Sequence, residues 1–142
     1  MSSDEASPRL AYLLKHANRR ISELTEAALL PYDITGKELA VLKVLHGREP
    51  GSQQDAAQRL GIDRTTMVAM LDKLERKGLV SRHPHAEDRR RNVVELTERG
   101  QDITRQARVA AVEAEQVFLR PLTEAAGAQL TDSLDAIVSA ER

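Results

Sequence analysis

At 142 residues with 41% hydrophobic content, the chain can support one domain with a moderate core, and little in it suggests a second. It has no cysteine, which excludes disulfides, thiolate metal sites and a thiol-based redox switch. The net charge of −1 conceals an asymmetry: residues 59–91 hold nine Lys and Arg against five Asp and Glu, a balance of +4, which leaves −5 for the remainder and concentrates positive field on one surface.

No stretch approaches the roughly 18 uninterrupted apolar residues of a membrane span. The acidic start MSSDEASP lacks the apolar run of a secretory signal. A cytoplasmic protein without a membrane partner is expected.

The first helix is predicted over residues 8–30. Ser7 can N-cap it with Pro8 in the first helical position, and Leu10, Leu13, Leu14, Ala17, Ile21, Leu24 and Ala28 make one apolar stripe. Pro31 ends it. Thr35 and Glu38 have the spacing of a capping box and open a second helix, with Leu39, Leu42, Val44 and Leu45 as core residues and Gly47 as a stop. His46 at its C-terminal end is accounted for by the helix dipole, which favours a partly protonated imidazole. A loop from Gly47 to Gly51 then leads to Ser52.

Residues 52–97 read as helix, tight turn, second helix and β-hairpin. Ser52 can N-cap a short helix with Ala56, Ala57 and Leu60 on its apolar side, and Gly61 is a natural C′ residue because only glycine enters the left-handed region cheaply. After Gly61-Ile62-Asp63, Asp63 can cap a second helix that places Met67, Met70, Leu71 and Leu74 on one side and closes at Gly78. This is a helix-turn-helix pattern. Arg64, Thr65 and Thr66 open the second helix, where short polar and basic side chains suit contact with base edges in the major groove.

After Gly78 the period changes, and two β-rich runs, Leu79 to His83 and Asn92 to Leu96, flank a loop containing Asp88, Arg89, Arg90 and Arg91. A two-stranded hairpin with three arginines at its tip makes a wing whose guanidinium groups can bind phosphates or enter a narrow minor groove. Each piece alone is ordinary, since helix pairs joined by glycine and arginine-rich loops are common. Their unbroken succession points to DNA binding.

The segment GIDRTTMVAMLDKLERKGLV, followed by Asp88-Arg89-Arg90 and then Val93, Leu96, Thr97 and Gly100, resembles the winged-helix core of the MarR (multiple antibiotic resistance regulator) family. The resemblance extends to most of the chain. It implies a dimeric, mostly repressing transcription factor, often released from DNA by a small molecule. It also implies that Arg90 enters the minor groove and that Asp88 orients it. Val68 and Ala69 stand in the middle of the recognition helix, where many relatives carry serine, threonine or arginine, so direct base readout here is expected to be thin.

From Thr97 a long helix is predicted to about Leu119, with Ile103, Ala107, Ala110, Ala114 and Val117 on one face. Alanines there permit close helix approach. After Pro121 a final helix carries Leu122, Leu130, Leu134, Ile137 and Val138. The helices over 8–30, 98–119 and 122–140 are too amphipathic to stand alone, and the core over 35–97 cannot cover all three. They are expected to interlock with a second copy, the other possibility being a monomer that closes its own bundle. The predicted fold is mainly α with a small β-hairpin wing, a winged helix-turn-helix flanked by N- and C-terminal dimerisation helices in a single domain over 1–142.

Tyr12, His16 and Arg20 border the apolar face of the first helix at one-turn spacing and could hold a small aromatic or anionic effector. In the resembling family, ligands often lodge between the dimerisation helices and the winged core. The plainer alternative makes His16 and Arg20 rim residues paired with acids such as Glu23. No phosphate loop, nucleophile elbow or metalloprotease motif is present, so neither an enzyme nor a cofactor is expected. His83, His85 and Glu87 alternate along the wing, but three exposed ligands near a loop tip do not make a metal site. The expected DNA-binding residues are Arg64, Thr65, Thr66, Val68, Ala69, Lys73, Asp88, Arg89, Arg90 and Arg91, and the expected partners are double-stranded DNA and a second copy. Two other functions fit less well: an architectural DNA binder, consistent with thin readout, and a protein-contact module, which the arginine tip disfavours.

Overall fold

The structure is a computed structural model that describes residues 9–46, 51–84, 86–87 and 92–140, with only the backbone of 51–53. Helix α1 spans Arg9–Leu29. It stops one residue earlier than the sequence suggests, because Pro31 sits at the start of a separate 3-10 turn, Leu30–Tyr32, and Asp33 follows with φ 55°. Ser7 and Pro8, the expected cap, lie outside the described residues. The apolar stripe divides in two. Leu29 is buried and Ala17, Ile21, Leu24 and Ala28 are half-buried, whereas Leu10, Leu13 and Leu14 are exposed.

Helix α2 spans Gly36–Leu45, and its capping box is complete. Glu38 N–H donates to Thr35 Oγ1 at 3.1 Å and Thr35 N–H donates to Glu38 Oε1 at 2.9 Å. Val41 rather than Val44 is fully buried beside Leu39 and Leu42, because α2 is covered on more than one side; Val44 and Leu45 only border the core. His46 is half-buried, and its Nδ1 has no hydrogen-bond partner among the described residues, so the dipole does not account for it fully. Gly47 lies outside the described residues.

The segment that looked like a loop into Ser52 ends in a short strand. Gly51–Ser52 forms β1, which pairs antiparallel with the later strand β3, Asn92–Leu96, and α3 follows at Gln53–Leu60. A two-residue strand has no periodicity to read, and its side chains are not described, so a capping role for Ser52 is left outside the structure. Helix α4 spans Arg64–Arg76, strand β2 Val80–Pro84 and strand β3 Asn92–Leu96. The expected hairpin is therefore part of a three-stranded antiparallel sheet of order β1-β3-β2, with Val80 opposite Leu96 and Arg82 opposite Val94.

Helix α5 runs Glu98–Leu119 from an N-cap at Thr97 and packs along α1. The predicted face is the observed one: Ala107 and Ala114 are buried, and Ile103, Ala110 and Val117 half-buried. Helix α6 begins at Glu124, capped by Thr123, so Leu122 precedes the helix instead of riding on it. Of its residues only Gly127 is buried, against Leu119, while Leu134, Ile137 and Val138 are exposed. The core sits under the sheet, where Leu42, Met67, Leu71, Leu74 and Val94 are almost inaccessible. Truncating any of these leucines to alanine would cost about 2–5 kcal/mol.

Candidate nucleic-acid interface

Two glycine stops fix the helix-turn-helix. Gly61 and Gly78 have φ of 64° and 77°, a region other residues enter only with strain. Each is followed by a backbone bond back into its helix: Ile62 N–H donates to Ala57 O at 3.0 Å, and Leu79 N–H donates to Leu74 O at 3.0 Å. At the other end of α4, Asp63 caps doubly. Its Oδ1 accepts from Thr66 N–H at 2.8 Å and its Oδ2 from the Thr66 hydroxyl at 2.7 Å. These bonds hold the Asp63 carboxyl below its ordinary pKa, the backbone bond contributing most.

With Met67, Leu71 and Leu74 buried, α4 turns Arg64, Thr65, Thr66 and Ala69 outward, and Val68 is half-buried. Thr66 is not a free donor, since its hydrogen is committed to Asp63 and only its oxygen remains as an acceptor. Lys73 is exposed about two turns further along. It stands apart from the N-terminal cluster, in a cleft of about 270 Å³ shared with Glu26, Leu30, Asp33, Glu38 and Lys77.

Arg82 ties the wing to α4, a bridge that the sequence did not announce. Its guanidinium reaches from the wing strand to two carboxylates of α4, Asp72 and, at 3.0 Å, Glu75. The bond to Glu75 raises the Arg82 pKa most and lowers that of Glu75 in return. This matters electrostatically, because the two carboxylates would repel any phosphate brought near α4, and Arg82 offsets both. A signal was present. Residues alternate faces along a strand, so Arg82 shares the inward face of Val80.

A second missed device joins wing and long helix. Thr97 Oγ1 donates to Gly78 O at 2.6 Å and accepts from Gly100 N–H at 3.0 Å, while Thr97 N–H donates to Leu79 O at 3.0 Å. One threonine thereby caps α5 and anchors the end of α4.

This exposed, capped helix braced against a β wing has direct counterparts. The sequence profile of the MarR family matches residues 32–91. A mutant of MarR from E. coli complexed with operator DNA is similar over 96% of this chain and 99% of that one, with 26% identity and a TM-score of 0.82. Over residues 32–91 the chain is a MarR-family winged helix. A MepR–DNA complex from S. aureus matches with 27% identity and a TM-score of 0.79, covering 92% of this chain and 96% of that one. The PcaV regulator of Streptomyces coelicolor in complex with its natural ligand matches with 25% identity and a TM-score of 0.74 over 100% and 99% of the two chains. As a MarR-family winged-helix protein, the chain is a DNA-binding transcriptional regulator and not an enzyme.

The remaining expected site residues of this MarR-family chain divide into two groups. Asp88, Arg89, Arg90 and Arg91, with His85, lie outside the described residues. Among the described ones, His83 Nδ1 faces Glu95 Oε1 at 4.0 Å across the wing. On α1, Tyr12 and His16 are in ring contact with centroids 4.2 Å apart, and Arg20 is exposed one turn on. Glu23, the acid expected to hold Arg20, is instead bonded by Arg19 at 3.2 Å. No helix among the described residues is long and apolar enough to cross a membrane.

Proposed function

We propose that the protein is a homodimeric repressor that occupies an inverted repeat in double-stranded DNA and is released by a small aromatic or anionic effector. The observation that carries the reading is the exposure of apolar side chains on the terminal helices: Leu10, Leu13 and Leu14 on α1, Val109 and Val112 on α5, and Leu134, Ile137 and Val138 on α6. A monomer rarely presents so much apolar surface unless it is an interface. A second copy with the same helices is its self-complementary cover. In this reading residues 8–30, 98–119 and 122–140 dimerise and 35–97 bind DNA.

The dimer presents two α4 helices to successive major grooves. Arg64 and Thr65 supply polar contacts there, with the Thr66 oxygen as an acceptor. Val68 and Ala69 offer methyl contacts to thymine, Lys73 meets the phosphate backbone, and Arg89, Arg90 and Arg91 reach phosphates or the adjacent minor groove, with Asp88 orienting Arg90. Thin direct readout makes groove shape weigh heavily in specificity. Tyr12, His16 and Arg20 line the effector site.

The test is a titration of an inverted repeat from the protein's own upstream region and of a scrambled duplex, with complex mass measured in parallel. Two chains per repeat, bound at least about 1,000-fold more tightly than to the scrambled duplex, are expected. Equal binding to both would favour an architectural role.

A further inference from the structure

Glu38 is 3% exposed, and its cap duty does not explain its charge. One neutral acceptor oxygen satisfies the Thr35 N–H, and glutamine serves as well at this position of a capping box. The charge is met by Lys77, whose Nζ lies 3.3 Å from each Glu38 oxygen and also donates to the carbonyl of Asp33. Lys77 is the C-cap of α4, and Asp33 is the left-handed residue between the 3-10 turn and α2. On the far side Glu26 of α1 accepts from the Gly36 N–H at 2.8 Å. A continuous set of polar contacts therefore runs from α1 through the start of α2 to the end of the recognition helix.

A buried ion pair adds little net stability over a well-packed apolar pair. What it fixes is geometry. Helix α4 is about 20 Å long, so a pivot of about 10° about its anchored end would move its DNA-facing end by roughly 3 Å, close to the 3.4 Å step between base pairs.

We propose that Glu38 and Lys77 are positioning residues, a latch that sets α4 relative to α1 and so determines which half-site spacing the protein accepts, without touching DNA. The inference rests on the dimer reading above, since spacing has meaning only for two recognition helices on a two-fold axis.

The experiment uses the full chain and a palindrome selected by wild type from a randomised duplex pool, with the half-sites then moved one base pair closer and one further apart. Wild type should discriminate against both altered duplexes by about tenfold or more. The Glu38→Gln, Lys77→Met double variant keeps the capping oxygen and removes both charges. It should fold and dimerise but discriminate by no more than about threefold, whereas Lys77→Arg, which restores the pair, should retain wild-type discrimination. A folded double variant with undiminished discrimination overturns the latch. Should the double variant not fold, Glu26→Ala at the exposed end, which removes the acceptor of the Gly36 N–H, decides: reduced discrimination supports the latch and wild-type discrimination overturns it. A wild type indifferent to spacing overturns the dimer reading, and the latch with it.

Discussion

Gly100 lies so close to the backbone of Leu79 that a Cβ on it would come within 1.9 Å of the Leu79 carbonyl oxygen. The approach is needed because that oxygen accepts from Thr97 N–H, which ties the start of α5 to the end of the helix-turn-helix. Backbone cannot yield as a flexible side chain would. Gly100→Ala should therefore destabilise the protein by roughly 3 kcal/mol or more in urea unfolding. A change below about 0.5 kcal/mol would show that α5 can shift freely against the sheet.

Arg82 offsets two carboxylates of α4, the helix proposed to read DNA, and fastens the wing to it. Arg82→Gln should lower affinity for a selected duplex about tenfold, through phosphate repulsion and a loosened wing, while leaving helix content unchanged. Because repulsion between exposed charges is screened, part of the loss should disappear at high salt. Wild-type affinity for the variant at low salt would remove Arg82 from the interface.

Acid should weaken the same region. Asp63 and Glu75 both titrate below their ordinary values in the folded protein. Their contribution to stability is thus fully present above the ordinary carboxylate range and is lost as pH falls through the lowered values. Thermal melts from neutral pH downward should show wild type losing stability faster than an Asp63→Asn, Glu75→Gln variant, which lacks both titrations. Parallel pH profiles for the two proteins would contradict this assignment.

The effector reading centres on α1, where the Tyr12 and His16 rings touch and Glu23 is occupied by Arg19. Small aromatic carboxylates should release wild type from DNA, and a His16→Ala, Arg20→Ala variant should need roughly tenfold more of them, as expected for lost charge-assisted contacts. Equal sensitivity would take these residues out of the control mechanism.

Where local chemistry decides structure, the sequence was a sufficient guide. The Thr35–Glu38 box, the Asp63 cap and the stops at Gly61 and Gly78 each depend on residues within five positions of one another, and all occur as expected. The buried face of α4 follows from helical spacing alone. Contacts between distant segments were not legible. Strand β1 exists only because β3 offers it an edge, and the pairing of Lys77 with Glu38 joins residues 39 positions apart. The Gly100 approach leaves no trace in composition, although that glycine belongs to the motif that carried the family resemblance. Arg82 is the intermediate case, since strand alternation placed it inward but could not name its partners.

The central claim, a two-fold dimer reading an inverted repeat with α4 and the wing, is tested most directly by a hydroxyl-radical footprint on the selected palindrome. The account predicts two protected half-sites related by a dyad, with centres about 10 base pairs apart, and minor-groove protection that Arg90→Ala abolishes while weakening binding by roughly 1–3 kcal/mol. A single unsymmetrical protected segment, or a footprint and affinity unchanged by Arg90→Ala, would contradict it.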